Sequence, residues 1–257
     1  MALLDVDFFS ESLQVGTSMT VVLPQMTLSQ VGVEPTAYVG DFPLLYLLHG
    51  LSDDHTAWLR YSSVERYANE RGLAVVMPAV HRSFYADERA GHAYWQFVSE
   101  ELPAVVSRFF RVTGDPSRTY VAGLSMGGYG AMKLALNHPD RYAAAASMSG
   151  ALDVVTLLAN AEREELLTRV FGGQVAPHED LLGRLAAGTA PPLWVGCGTE
   201  DVLLPANERF VAAAEAAGVP VTTRFEPGDH VWSLWDSQLP TVMDFLLGAG
   251  RPVVGAP

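Results

Sequence analysis

Cysteine is almost missing from this chain. Cys197 is the only one in 257 residues, so no intramolecular disulfide can form and no multi-cysteine metal site is available. Lysine is equally scarce, with Lys133 the single example. There are 16 basic residues against 29 acidic ones, a formal net charge of −13. The arginines form no run or stripe, which argues against nucleic acid and anionic membrane as partners; an acidic surface of this kind serves solubility. No apolar run approaches the roughly 20 residues of a membrane span. The stretch Met1-Ala2-Leu3-Leu4-Asp5 has no basic segment ahead of an apolar core, so no signal peptide is expected and a cytoplasmic location is the default. There is no internal repeat, and no motif that calls for a cofactor or metal.

What is present is a globular composition, 49% hydrophobic and 18% charged. A chain of this length buries roughly three-quarters of its unfolded surface, and one domain over residues 1–257 is expected. Leu3 to Leu13 and Ser18 to Leu23 read as neighbouring strands at an antiparallel edge, followed by a loop from Gln25 to Asp41. Continuous apolar runs then recur at 43–48, 73–77, 119–122, 143–148, 193–197 and 219–225. Runs like these suit strands covered on both faces. Helical patterns separate them, as in a mostly parallel sheet flanked by helices. Leu102, Val105, Val106, Phe109 and Phe110 make a core-facing stripe. Pro205 to Ala217 reads as a helix closed by Gly218, and Pro240 to Leu247 as the last helix. About forty residues from Ala151 to Ala190 exceed a minimal crossover. They predict a helical cap over the C-terminal edge of the sheet, carrying Leu157, Leu158, Leu166, Leu167 and Phe171. Residues 251–257 read as a loose tail.

The chemistry centres on Gly123-Leu124-Ser125-Met126-Gly127-Gly128, between a strand and the helical stretch Tyr129 to Asn137. This is G-x-S-x-G in its strand–turn–helix setting, the nucleophile elbow of an α/β-hydrolase fold. The serine must stand on a sharp turn, and side chains two residues away on either side would collide there, so both positions need glycine. The helix behind it favours negative charge at its N-terminus.

A serine hydroxyl needs a base. Of seven histidines, only His230 lies beyond the last strand, and it is the predicted base. His49, His55, His81 and His92 read as loop residues, three of them able to line a cleft; His138 ends a helix, and His178 belongs to the cap. The acid is expected in Gly198-Thr199-Glu200-Asp201, where Asp201 and Glu200 both qualify. Asp201, shorter and stiffer, is favoured to hold the histidine tautomer and stabilise the imidazolium. Asp229 reads as structural. The backbone N–H groups of Met126 and Leu51 are the expected oxyanion donors.

Several segments share one family resemblance: Leu47-Leu48-His49-Gly50-Leu51-Ser52-Asp53-Asp54, Arg82-Ser83-Phe84-Tyr85, Tyr94 to Pro103, the serine elbow, Cys197 to Asp201, and Asp229-His230-Val231-Trp232. Together they resemble the esterase D branch of the α/β-hydrolases, with bacterial tributyrin-type esterases, relatives of S-formylglutathione hydrolase, nearest in pattern. The resemblance spans about Asp5 to Leu247. It implies a serine carboxylesterase for short acyl esters, working without a cofactor on a small-molecule ester. It implies the triad Ser125, Asp201 and His230, donors at Leu51 and Met126, pocket walls at Trp58, Tyr85 and Trp232, and a homo-oligomer as a family-level option. The branch also contains S-formylglutathione hydrolases, feruloyl and acetyl-xylan esterases and mycolyltransferase-like acyltransferases; a non-catalytic binding module is the alternative outside enzymes. The cysteine-rich pattern of the S-formylglutathione hydrolases near the first loop is absent here.

Overall fold

In the computed structural model, residues 1–25, 27, 31–32, 40–158 and 164–249 are described. Among them, eight strands form one sheet: β1 (Ala2–Ser10), β2 (Val15–Leu23), β3 (Leu44–Leu48), β4 (Ala74–Pro78), β5 (Thr119–Leu124), β6 (Ala144–Met148), β7 (Leu193–Gly198) and β8 (Val221–Glu226). Their order is β1-β2-β4-β3-β5-β6-β7-β8. β1 and β2 pair antiparallel, as do β2 and β4. Every later neighbour pair is parallel. The described helices are α1 (Ala57–Tyr61), α2 (Val64–Glu70), α3 (Tyr94–Gln96), α4 (Leu102–Phe109), α5 (Met126–Asn137), α6 (Val154–Leu158), α7 (Glu164–Phe171), α8 (Leu181–Leu185), α9 (Leu204–Ala216) and α10 (Trp232–Ala249).

The apolar strand runs are explained by two cores. In β3, Leu44, Tyr46 and Leu48 face a core shared with α4, α5 and α9. Leu45 and Leu47 face the opposite one, built with α2 and α10. Alternate side chains point to opposite faces, and here both faces are dry, so the run shows no polar phase. The parallel strands all end on one side, which carries the turn after β3, the turn after β5 and the loops after β7 and β8.

Several boundaries differ from the sequence expectation. β1 stops at Ser10, not Leu13, because Glu101 captures the hairpin turn: its carboxylate accepts the N–H of Glu11 at 2.8 Å and of Ser12 at 2.9 Å. β8 starts at Val221 because Val219 completes the end of α9, donating to Ala214 O at 2.9 Å while Gly218, at φ +71°, donates to Glu215 O. This pair of bonds is the Schellman closure. β8 is an edge strand with mixed exposure, not a doubly covered one. The helix behind Ser125 begins at Met126, three residues earlier than read.

α10 begins at Trp232, with Pro240 inside it rather than at its start. An interior proline costs about 3 kcal/mol. Trp235, Leu239, Val242, Met243 and Leu246 are all buried by this helix, and each such side chain contributes about 1.5–3 kcal/mol, so burial wins. In the stripe on α4, Leu102 and Val106 are buried, but Phe109 is 55% exposed. The helices α1, α2 and α3 were not foreseen.

The region between β6 and β7 carries α6, α7 and α8, and α8 packs on α5 and α9. Leu167 and Val170 of α7 are buried in the main core, with Phe171 edge-on to Phe84 at 5.9 Å. The described part covers the α5 side and the 81–89 loop, and through Arg169 it reaches a cavity shared with Leu51, Ser52 and Asp53. The tail at 251–257 and most of the 25–41 loop lie outside the described residues. No helix among the described residues is long and apolar enough to cross a membrane.

Candidate active site

Ser125 stands between β5 and α5 at φ +53°, ψ −119°, a left-handed state that costs about 1–3 kcal/mol. Its backbone is held on both sides: the N–H donates to Met148 O at 2.9 Å, and the carbonyl accepts from Ala151 N at 3.0 Å and Tyr129 N at 3.2 Å. The glycines meet the demand read from the sequence. A Cβ on Gly123 would overlap the backbone of Gly127, and one on Gly127 would overlap the Leu48 carbonyl. Gly128 closes against Ser147. Strand β3, the elbow and β6 are thus locked together by absent side chains.

The structure brings Ser125, His230 and Asp201 into one hydrogen-bonded chain. His230 Nε2 lies 3.0 Å from Ser125 Oγ, and His230 Nδ1 lies 2.8 Å from Asp201 Oδ2. With Nδ1–H donating to the carboxylate, Nε2 is left to accept the serine proton. Asp201 is buried. Burial alone would raise its pKa, but the bond from His230 and the Leu203 N–H at 2.8 Å outweigh it and hold the carboxyl below its ordinary range. Glu200, the other carboxylate on this turn, is exposed and points elsewhere: it accepts from Thr199 Oγ1 and the Gly228 N–H. Asp229 accepts the His230 N–H at 2.7 Å and so shapes the loop.

The turn after β3 is built around His49, whose sequence setting marks it only as a loop residue. His49 is buried. Its Nδ1 lies 2.7 Å from Gly50 O, and its Nε2 accepts the Val80 N–H at 3.1 Å. This pattern requires the neutral ring with the proton on Nδ1. Burial pulls its pKa down to about 4, against the bond to Gly50 and the charge of Asp54. Gly50 O also accepts from Asp53 N at 3.3 Å, and Gly50 N donates to Asp53 Oδ2 at 3.3 Å. The planar Gly50–Leu51 peptide then carries its N–H opposite the pinned carbonyl. The Met126 N–H, at the first position of α5, has no intrahelical acceptor.

The cleft at Ser125 has a volume of about 330 Å³ and is lined by Gly50, Leu51, Ser52, Asp53, Leu124, His230, Trp232 and Trp235. Of the three expected walls, only Trp232 lines it. Trp58 is fully buried underneath, donating Nε1–H to Leu48 O at 3.2 Å and packing edge-on to Trp232 at 5.0 Å. Tyr85 is likewise fully buried, with its hydroxyl on His49 O at 2.9 Å. Both rings are supports, because the polar handle of each is consumed by a backbone carbonyl. Trp235, edge-on to His230 at 4.9 Å, and Asp53 were not singled out from the sequence. Burial raises the Asp53 pKa, with the Gly50 N–H opposing. No described residue of 151–190 lines this cleft. A second cavity of about 580 Å³ shares Leu51, Ser52 and Asp53 with it and takes in His81, His92 and, from α7, Arg169. His55 instead faces Asp5, and His138 stacks on Trp95. Cys197 is buried behind Asp201, its thiol pushed up to about 12 by burial and then by that carboxylate. Among the described residues, no group of three His, Cys, Asp or Glu could hold a metal ion.

A strand order of this kind, with a strained serine behind β5 and a histidine after β8, defines an α/β-hydrolase of the serine hydrolase class. Comparisons agree. Residues 31–246 match the family model described as "Putative esterase", and the chain belongs to that esterase family. Among curated relatives, the acetyl esterase of Caldicellulosiruptor saccharolyticus is 24% identical over 96% of this chain and 98% of its own. Among solved structures, the fluorophosphonate-binding serine hydrolase FphF of Staphylococcus aureus superposes with a TM-score of 0.85 at 29% identity, covering 98% of this chain and 99% of its own. The S-formylglutathione hydrolase FrmB of the same organism gives 0.81 at 31% identity, over 96% and 98%. The chain is therefore a serine esterase in class.

Proposed function

We propose that this esterase hydrolyses short-chain acyl esters through an acyl-enzyme on Ser125. Ser125 attacks the ester carbonyl while His230 Nε2 takes its proton, and Asp201 holds the Nδ1–H tautomer and stabilises the imidazolium. The N–H groups of Leu51 and Met126 receive the oxyanion. His230 then protonates the departing alcohol, and water, activated by the same imidazole, cleaves the acyl-serine. The observation that carries the reading is the continuous Ser125–His230–Asp201 chain of 3.0 and 2.8 Å opening on the cleft. A volume near 330 Å³ stands at the small end of ligand cavities, about 300–1,000 Å³, and favours short acyl groups. The acetyl esterase likeness supports the same preference. We further read the chain as one domain acting in the cytoplasm on small neutral esters, with self-association left to the oligomeric state in solution.

The test is a chain-length series of nitrophenyl esters, run beside S-formylglutathione, on the wild type and Ser125→Ala. Activity should peak at two to four acyl carbons, about the size of the cleft, and vanish in the variant together with fluorophosphonate labelling. Full activity in Ser125→Ala, or a long-chain optimum, would overturn the assignment.

A further inference from the structure

The chain's single lysine is one of its most buried residues. Lys133, on α5, is 0% exposed. Its Nζ pairs with Glu179 Oε2 at 2.6 Å, donates to Tyr85 O at 2.8 Å and sits 4.2 Å from the centre of the Trp95 ring. Tyr129 adds its hydroxyl to the same carboxylate at 2.6 Å. A buried ion pair is a weak source of stability, because desolvation consumes most of the Coulombic gain. Its geometry therefore calls for another explanation, and the Tyr85 carbonyl supplies one.

Tyr85 lies at φ +51°, beside Phe84 at +51° and close to His81 at +50°. Left-handed backbone is unfavourable for such bulky residues, so the conformation must be held from outside. Lys133 holds the Tyr85 carbonyl, Ser83 Oγ accepts its N–H at 3.1 Å, and its ring packs against Gly130 of α5, where a Cβ would stand 2.5 Å from the ring. Held this way, Tyr85 directs its hydroxyl onto the His49 carbonyl. His49 in turn pins the Gly50 carbonyl, and the planarity of that peptide aims the Leu51 N–H.

We propose that Tyr85 is a positioning residue for the oxyanion donor Leu51, and that the buried Lys133–Glu179 pair keeps Tyr85 in the left-handed state this requires. The proposal rests on the reading of Leu51 as an oxyanion donor. It adds a line of support from the 176–180 turn, through α5, to the site. A donor held loosely stabilises the ground-state carbonyl almost as well as before, but loses the developing oxyanion, so the effect belongs in kcat.

The experiment uses Tyr85→Phe, which removes one oxygen and keeps the ring, and Lys133→Met/Glu179→Gln, which removes both charges together. Nitrophenyl acetate kinetics are combined with inhibition by phenylboronic acid, whose tetrahedral adduct on the serine reads the oxyanion donors. For Tyr85→Phe, kcat should fall about tenfold, a fraction of the hundred- to thousandfold cost of a lost donor. KM should stay within about twofold, and boronate affinity should fall by the same factor as kcat/KM. The double variant should reproduce this split. A Tyr85→Phe enzyme with wild-type kcat and boronate affinity, whatever its Tm, overturns the proposal, and this variant decides alone if the double one does not fold. Failure of the esterase reading looks different: the wild type itself would then show neither turnover nor fluorophosphonate labelling at Ser125.

Discussion

Acid should weaken this protein through His49, by an amount the structure allows to be worked out. The ring is buried, donates to Gly50 O and accepts from Val80 N–H, so the fold accommodates only its neutral form. Its pKa falls from 6.5 to about 4 on folding. Unfolded chains bind the proton below about pH 6.5, while folded ones resist it until about 4. Stability is therefore fully present above pH 6.5 and is lost as pH falls towards 4. The full difference of about 2.5 units corresponds to roughly 3 kcal/mol, of which about 2 kcal/mol is lost between pH 7.5 and 5.0. Buried carboxylates such as Asp201 and Asp153, whose pKa values are depressed, lose stability in the same direction at lower pH. A comparison isolates the histidine. Urea unfolding is measured at both pH values for the wild type and for His49→Gln, whose amide can donate to Gly50 and accept from Val80 without titrating. The stability gap between the two should narrow by about 2 kcal/mol on going to pH 5.0. A gap constant to within about 0.5 kcal/mol would refute the assignment of His49 as a neutral strut.

Other outcomes follow from the same geometry. Asp201→Asn leaves the shape but removes the charge that sets the His230 tautomer, so kcat should fall by roughly 10³–10⁴ with the fold intact by circular dichroism. Gly130→Ala sets two effects against each other: alanine gains about 1 kcal/mol of helix propensity, but its Cβ would press into the Tyr85 ring at 2.5 Å, and overpacking costs about 1–3 kcal/mol. Overpacking should win, lowering both Tm and kcat; a more stable, fully active variant would contradict the packing described. Trp232→Ala removes the half-buried wall of the cleft while Trp58 and Trp235 stay in place, so the acyl optimum should shift to longer chains in a nitrophenyl ester series.

Legibility in the sequence followed the range of the interaction. The elbow was readable because its requirements are local: glycines at 123 and 127 are needed by the turn itself. The histidine that meets Ser125 was readable because only one histidine follows the last strand. Trp58 and Tyr85 were expected as walls because an aromatic side chain has the same signature whether it faces a cleft or a backbone carbonyl, and the buried role of His49 was not legible for the same reason. Pro240 suggested a helix start because local propensity was weighed without the five buried side chains that outweigh it. The 151–190 segment was recognisable as helical, but periodicity does not say which neighbour a helix finds.

The sequence by itself determined the α/β alternation, the strained Ser125 turn, and the order of serine, acid and histidine, since these depend on backbone sterics and on hydrophobic period along the chain. Only the tertiary structure decided between Asp201 and Glu200, because the choice rests on which carboxylate reaches His230 across 29 residues of chain. It also decided that Lys133, the single lysine of an acidic chain, lies dry beside Glu179, 46 positions further along the sequence. Contacts of that span are set by how elements pack, and packing is a property of the assembled fold.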